Sequence, residues 1–141
     1  MAAARKGSRF FLLCAFEQLV ANNLENPKEM TLKEFTQRIA WLNVYQAREV
    51  SDDYQERVIL NVDIKQWSVA LEEVLGPPVK PAGADPSGTD IVLCQIYGSI
   101  MKNQTLYRKT FGDGTILAML WPWQDGTHTT LKIGRVSPKV E

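Results

Sequence analysis

The spacing of apolar residues changes once along this chain, from helical in the first half to alternating in the last third. Leu32, Phe35, Ile39 and Leu42 recur at three and four residues, and Trp41, Val44 and Tyr45 widen the stripe. This period predicts an amphipathic helix from Leu32 to about Glu49. Thr31 with Glu34 forms a capping box at its start, and Met30 with Phe35 stands where a hydrophobic staple belongs. Ser51, Asp52 and Asp53 break it. A second stripe, Ile64, Trp67, Leu71 and Val74, follows a capping box of Asp63 and Gln66 and stops at Gly76, before Pro77-Pro78. Ahead of both, Ser8 to about Asn23 reads as a helix whose first turns, with Phe10, Phe11, Leu13 and Cys14, are apolar nearly all round. Such a helix belongs in a core or a subunit interface. In Tyr54–Val62, Tyr54, Val58 and Val62 fit a helical face, while Arg57–Val62 also reads as a short strand.

From Gln104 to Val136 the period falls to two. Thr105–Phe111, Thr115–Trp123 and Thr127–Val136 are rich in Thr, Ile, Leu and aromatic residues and read as strands. Asp125-Gly126 is the signal for a two-residue type I′ turn. That turn would pair Gln124 with Thr127, Trp123 with His128, Trp121 with Thr130 and Met119 with Lys132. Gly112-Asp113-Gly114 holds a second turn, either a two-residue Asp-Gly turn or a three-residue loop with a bulge. Because side chains alternate across a sheet, two faces follow. Ile116, Ala118, Leu120, Leu131 and Ile133 form a core face. Leu117, Met119, Trp121, Trp123, His128, Thr130 and Lys132 form a mixed one. The register at Gly112–Gly114 decides whether Tyr107 or Arg108 joins the tryptophans.

Between these regions lies a Pro/Gly-rich linker, residues 76–90, with four prolines and three glycines. Ile91–Ile100 is nearly continuous in apolar residues and reads as a buried strand, with a helix as the alternative. The predicted fold class is α+β, in one domain: about three N-terminal helices within residues 1–75, packed on a C-terminal antiparallel β-meander of three to four strands within 91–136. Residues 137–141 form a tail.

Composition changes this picture little. The 141 residues are 45% hydrophobic and 23% charged, as in ordinary globular proteins. Cys14 and Cys94 lack metal-ligand spacing and read as buried thiols in a reducing compartment. No run reaches the roughly 20 apolar residues of a membrane span. The basic start followed by Phe10–Phe16 lacks the cleavage site of a signal peptide. A cytoplasmic protein without a membrane partner is expected.

Charge alters it more. Sixteen basic residues balance sixteen acidic ones. Residues 25–90 carry seven basic against twelve acidic side chains, and residues 91–141 carry six against three. An acidic helical half therefore faces a basic sheet, either attracting it within one fold or offering it to an anionic partner.

Catalytic chemistry is poorly provided for. His128 is the only histidine, no serine sits in a Gly-x-Ser-x-Gly elbow, and no motif implies a cofactor or metal. An enzyme is not the favoured reading. The residues singled out for binding are Tyr107, Lys109, Trp121, Trp123, His128 and Lys132, an aromatic and basic set on the sheet. They suit protein–protein contact or self-association, as in a homodimer, because Trp and Tyr are enriched at interfaces. Two alternatives are a ligand pocket lined by Tyr97, Tyr107, Trp121 and Trp123, and a single-stranded nucleic-acid surface using Arg108, Lys109, Lys132 and Arg135. Zero net charge weighs against the last.

Overall fold

The computed structural model describes residues 30–137. The predicted helix from Ser8, Cys14 and the tail beyond Ser137 lie outside the described residues. In chain order come α1 (Leu32–Arg38), β1 (Gln46–Val50), β2 (Tyr54–Leu60), α2 (Ile64–Leu75), α3 (Gly88–Cys94), β3 (Thr105–Phe111), β4 (Gly114–Pro122) and β5 (His128–Val136). The five strands make one antiparallel sheet in the order β1-β2-β5-β4-β3. The α+β class holds, with two corrections: there are five strands, and the helices are not all N-terminal.

The first correction comes from the stretch predicted as one helix to Glu49. The capping box is present, with Thr31 Oγ1 accepting from the Glu34 N–H at 3.1 Å and Glu34 Oε1 from the Thr31 N–H at 2.9 Å. The helix nevertheless ends at Arg38, and Ile39 and Leu42 enter the core from the turns that follow. Residues 46–50 then pair with β2 through a hairpin closed by Ser51, whose N–H donates to the Tyr54 carbonyl at 2.8 Å. Every residue of β1 is exposed, so no apolar alternation advertises it. Tyr54–Leu60 resolves as strand. For α2 the Gly76 stop holds, at φ +86°, but Asp63 makes no side-chain cap.

The second correction concerns Ile91–Ile100, where the helical alternative is realised. Ser87 and Asp90 form a capping box that opens α3, inside the stretch read as a linker, and a single 3-10 turn over Gln95–Tyr97 follows. This helix has work to do on the sheet. Leu106, Leu117 and Met119 project from the face opposite α1 and α2, and each is fully buried with Cys94 and Ile100. Removing one such side chain from water is worth about 1.5–3 kcal/mol. On the inner face, Ile59, Ile116, Ala118, Leu131 and Ile133 pack against Phe35 of α1 and Trp67 and Leu71 of α2.

Two contacts fix the outer layer. Tyr97 lies flat on β5 at Gly134, where a Cβ would come within 2.4 Å of the tyrosine ring. Its hydroxyl donates to the Arg135 carbonyl at 3.1 Å, and its ring stacks on Tyr54 at 4.8 Å. Lys80, only 1% exposed, pairs its backbone with Leu106 at the edge of β3. Its ammonium donates to the carbonyls of Pro81 (3.1 Å), Lys102 (2.8 Å) and Gln104. Three acceptors suit the three N–H donors of an ammonium, while burial draws its pKa below the ordinary lysine value against the pull of Asp85 and Asp90.

Asp90, 3% exposed, accepts from Arg108 Nε at 3.2 Å and from the Ser87 N–H at 3.1 Å. Burial raises its pKa, but the Ser87 and Arg108 hydrogen bonds outweigh that and hold the carboxyl below its ordinary range.

Two predictions follow from these groups. Lys80→Met will take a donor from the buried Gln104 carbonyl, while the Pro81 and Lys102 carbonyls keep the N–H groups of Ala84 and Gly83, and it will destabilise the fold by about 1–3 kcal/mol in urea titration. Because the folded pKa of Asp90 is depressed, its contribution is complete above the unfolded value of about 4 and is lost as pH falls through the folded one. Asp90→Asn will therefore be less stable than wild type at neutral pH, and the gap will narrow on acidification.

Candidate functional site

On the outer face α3 covers β3 and β4 and leaves β1, β2 and the start of β5 uncovered. At the end of the sheet where β2 finishes and β5 begins, three rings meet. His128 stacks on Trp123 at 4.7 Å and 28°, and Tyr45 meets its other side edge-on at 4.8 Å. Trp123 Nε1 donates to Thr130 Oγ1 at 2.8 Å, and the Arg48 guanidinium stands 5.5 Å over the indole. Val58 and Thr130, a cross-strand pair in this half, are buried.

The hairpin loop sets His128. It is wider than a type I′ turn: the Trp123 N–H donates to the His128 carbonyl at 2.9 Å around Gln124–Thr127, and Gly126 takes φ +72°. Asp125 Oδ1 accepts the N–H groups of Thr127 (2.8 Å) and His128 (3.1 Å), and its Oδ2 lies 2.7 Å from His128 Nδ1. The Thr127 N–H, followed by His128, holds this carboxyl below its ordinary range. The expected pairings of Trp121 with Thr130 and Met119 with Lys132 are present.

Large apolar side chains of the neighbouring segments are exposed. Trp41 is 68% exposed and Tyr45 59%, and Val44 and Val62 are exposed as well. The Asn61 N–H donates to the Thr127 carbonyl at 2.8 Å, and Trp67 Nε1 to the Asn43 carbonyl at 3.0 Å, which brings the segments around residues 41–45 and 61–63 to this end. Trp41 Nε1 donates to the Arg38 carbonyl at 3.1 Å. Behind the cluster runs a polar chain: Arg48 to Glu56 at 3.9 Å, Tyr54 Oη to Glu56 at 2.8 Å, and the Tyr54–Tyr97 stack. Glu49, Tyr54, Glu56, Tyr97 and Lys132 line an open cleft of about 440 Å³ there.

The six residues singled out from sequence are dispersed. Trp123 and His128 are in the cluster. Trp121 packs into the outer core with the Lys132 ammonium 3.4 Å from its ring centre, and that ammonium donates to the Tyr97 carbonyl at 3.0 Å. Burial lowers the Lys132 pKa, with Glu56 opposing. The second hairpin is neither the Asp-Gly turn nor the three-residue loop expected: its two turn residues are Gly112-Asp113, with Gly112 at φ +61° and Phe111 pairing Gly114. That register puts Arg108 opposite Leu117 on the outer face and Tyr107 opposite Ala118 in the inner core. Lys109 lies exposed on β3 near Phe111. Tyr45, Trp41 and Arg48 were missed, because the helical stripe assigned the two aromatics to a core and nothing marked β1.

Both edges of the sheet are guarded. β1 carries a bulge between Ala47 and Glu49 with Arg48 inside it, and β3 is paired at Leu106 by Lys80. Bulges and charge on an edge strand block pairing with another chain. Catalytic groupings are sparse. His128 has its carboxylate partner, but no nucleophile bonds to it among the described residues, and no metal-ligating cluster occurs there. Cys94 is fully buried, and burial, reinforced by Asp90, pushes its thiol up to about 11, so it is not poised as a thiolate. No described helix is long and apolar enough to cross a membrane.

Trp123→Phe keeps a ring over His128 and deletes the indole N–H. It will cost about 1 kcal/mol for the lost bond to Thr130 in chemical denaturation, and leave the His128 ring current on its neighbours in place by NMR.

Comparison with protein-family models, with curated proteins and with solved structures returns no match for this chain.

Proposed function

We propose that this chain is a protein-binding module whose contact surface is the aromatic end of the outer sheet face, centred on Trp41, Tyr45, Trp123 and His128. The observation that carries the reading is the exposure of the Tyr45 ring, 59%, on a packed stack with His128 and Trp123, four residues along the chain from Trp41, itself 68% exposed. Clustered exposed apolar surface marks interaction sites, and Trp and Tyr dominate the energetic centres of interfaces. The rings are also preorganised. Trp41 is tied to Arg38 by its indole N–H, and Tyr45 is held by its backbone N–H on the Val58 carbonyl at 2.9 Å. Docking on them costs little side-chain ordering.

The other two readings draw less support. Among the cations considered for phosphate contact, Arg108 is paired with Asp90, Lys132 is bonded to the Tyr97 carbonyl, and Arg135 donates to Asp113 at 3.2 Å. A nucleic acid would have to compete with these bonds. The four rings considered for a ligand pocket are divided between the two faces of the sheet, with Tyr107 on the inner one.

Affinity capture with the whole chain, compared with a Trp41→Ala/Tyr45→Ala variant, tests the reading. Partners retained by the wild type will be lost by the double variant and kept by a Lys65→Ala/Glu73→Ala control on the exposed side of α2. Both variants will melt close to wild type, since they remove exposed atoms. Equal capture by wild type and the aromatic variant would sink the proposal.

A further inference from the structure

Granting that the aromatic end binds protein, we propose that its partner is a second copy of this chain, docked face to face about a two-fold axis. In a two-fold interface the same patch meets itself, so the patch must complement itself in charge as well as shape. This one carries both signs. Arg48 stands over Trp123 with its side chain 43% exposed, and Asp125 stands on the hairpin loop, also 43% exposed, hydrogen-bonded to the His128 ring. The stacked rings of Trp123 and His128 link the guanidinium to the carboxylate, with Tyr45 edge-on against His128. An axis through those rings brings Arg48 of each copy toward Asp125 of the other and lays Tyr45 against apolar surface of the same kind.

Two further observations favour a copy over a foreign partner. A partner selected by charge needs a patch of one sign, and this patch has none to offer. The chain also carries sixteen basic and sixteen acidic residues, so two copies approach without net repulsion, a condition that promotes association. The guarded edges at β1 and β3 direct such an association to the face rather than to strand pairing.

The test is sedimentation of the full chain over a concentration series, with three variants. Wild type will show a reversible monomer–dimer equilibrium with a Kd of about 1–50 µM. Arg48→Glu and Asp125→Lys will each weaken it at least about tenfold, because each places like charges together twice in the dimer. Mixing those two variants will restore dimer, since the mixed pair recovers both opposite-charge contacts. Tyr45→Ala will dissociate the dimer without changing charge, and with Arg48→Glu it decides the matter if Asp125→Lys does not fold. A wild type that stays monomeric throughout overturns the inference, as does a dimer indifferent to Arg48→Glu and Tyr45→Ala. A monomer that still captures another protein through Trp41 and Tyr45 overturns self-association alone and leaves the binding reading standing.

Discussion

The structure turns on a strand that is apolar on both faces. From Ile116 to Leu120 every residue of β4 is buried, and alternation sends Ile116, Ala118 and Leu120 one way and Leu117 and Met119 the other. A strand of this kind cannot have a wet side, so the sheet must be covered twice. α1 and α2 satisfy the inner face. The outer face needs its own layer, and the chain supplies it with α3 and the turn that ends at Tyr97. That requirement explains why residues 88–97 are helical although their composition suits a strand: the site they fill lies on top of a sheet, where side chains must point down and backbone must satisfy itself.

The second cover is short, and its limit is set by chemistry. α3 has seven residues, enough to roof β3 and β4. Its reach ends where Tyr97 settles on Gly134, the position on β5 with no side chain to lift the ring away. Beyond that seat the outer face becomes polar, with Glu56 opposite Lys132 and Tyr54 opposite Gly134, and then aromatic again at the far end. The lysines are spent on this transition. Lys132 bonds the Tyr97 carbonyl across Trp121, and Lys80 bonds three carbonyls below β3. In the C-terminal third, Arg108, Lys132 and Arg135 are held by Asp90, the Tyr97 carbonyl and Asp113, so three of its six basic residues serve the architecture and charge counted along the sequence overstates what solvent or a partner meets.

Much of the fold was legible because it depends on local rules. The Thr31–Glu34 box, the Gly76 stop, the strands β3 to β5 and the β4–β5 register follow from capping, turn chemistry and alternation, whereas the β3–β4 register stayed open because Gly112-Asp113-Gly114 admits more than one turn. What failed did so for identifiable reasons. Trp41, Val44 and Tyr45 sit at helical spacing, yet β1 is held by its ladder to β2 and buries nothing, so no pattern in its own residues could reveal it. The Asp63–Gln66 signal fired without a cap because a 3-10 turn at Asn61–Asp63 already leads into α2. The loop before β5 widened because Asp125 uses its carboxylate on two backbone N–H groups. The candidate site was half legible: Trp123 and His128 flank a hairpin loop joining strands with clear alternation, whereas Tyr45 reaches His128 only through the β2–β5 pairing, between residues 68 to 80 apart in sequence.

His128 shows how the same residues read differently once their neighbours are known. In sequence it is the sole imidazole and hence the obligatory centre of any histidine chemistry. In the fold its Nδ1 is held by Asp125 and its ring is gripped by Trp123 and Tyr45. A general base needs its carboxylate orienter, which is present, and also a substrate proton or nucleophile within reach in a cleft that excludes water. The surroundings instead are rings turned toward solvent at the open end of a sheet. An imidazole fixed on both flanks and one edge serves to hold Tyr45 and Trp123 in place, and the polar pair at its edge matches the hairpin loop to that stack. The geometry is that of a fixed surface, which is what the proposed contact face requires.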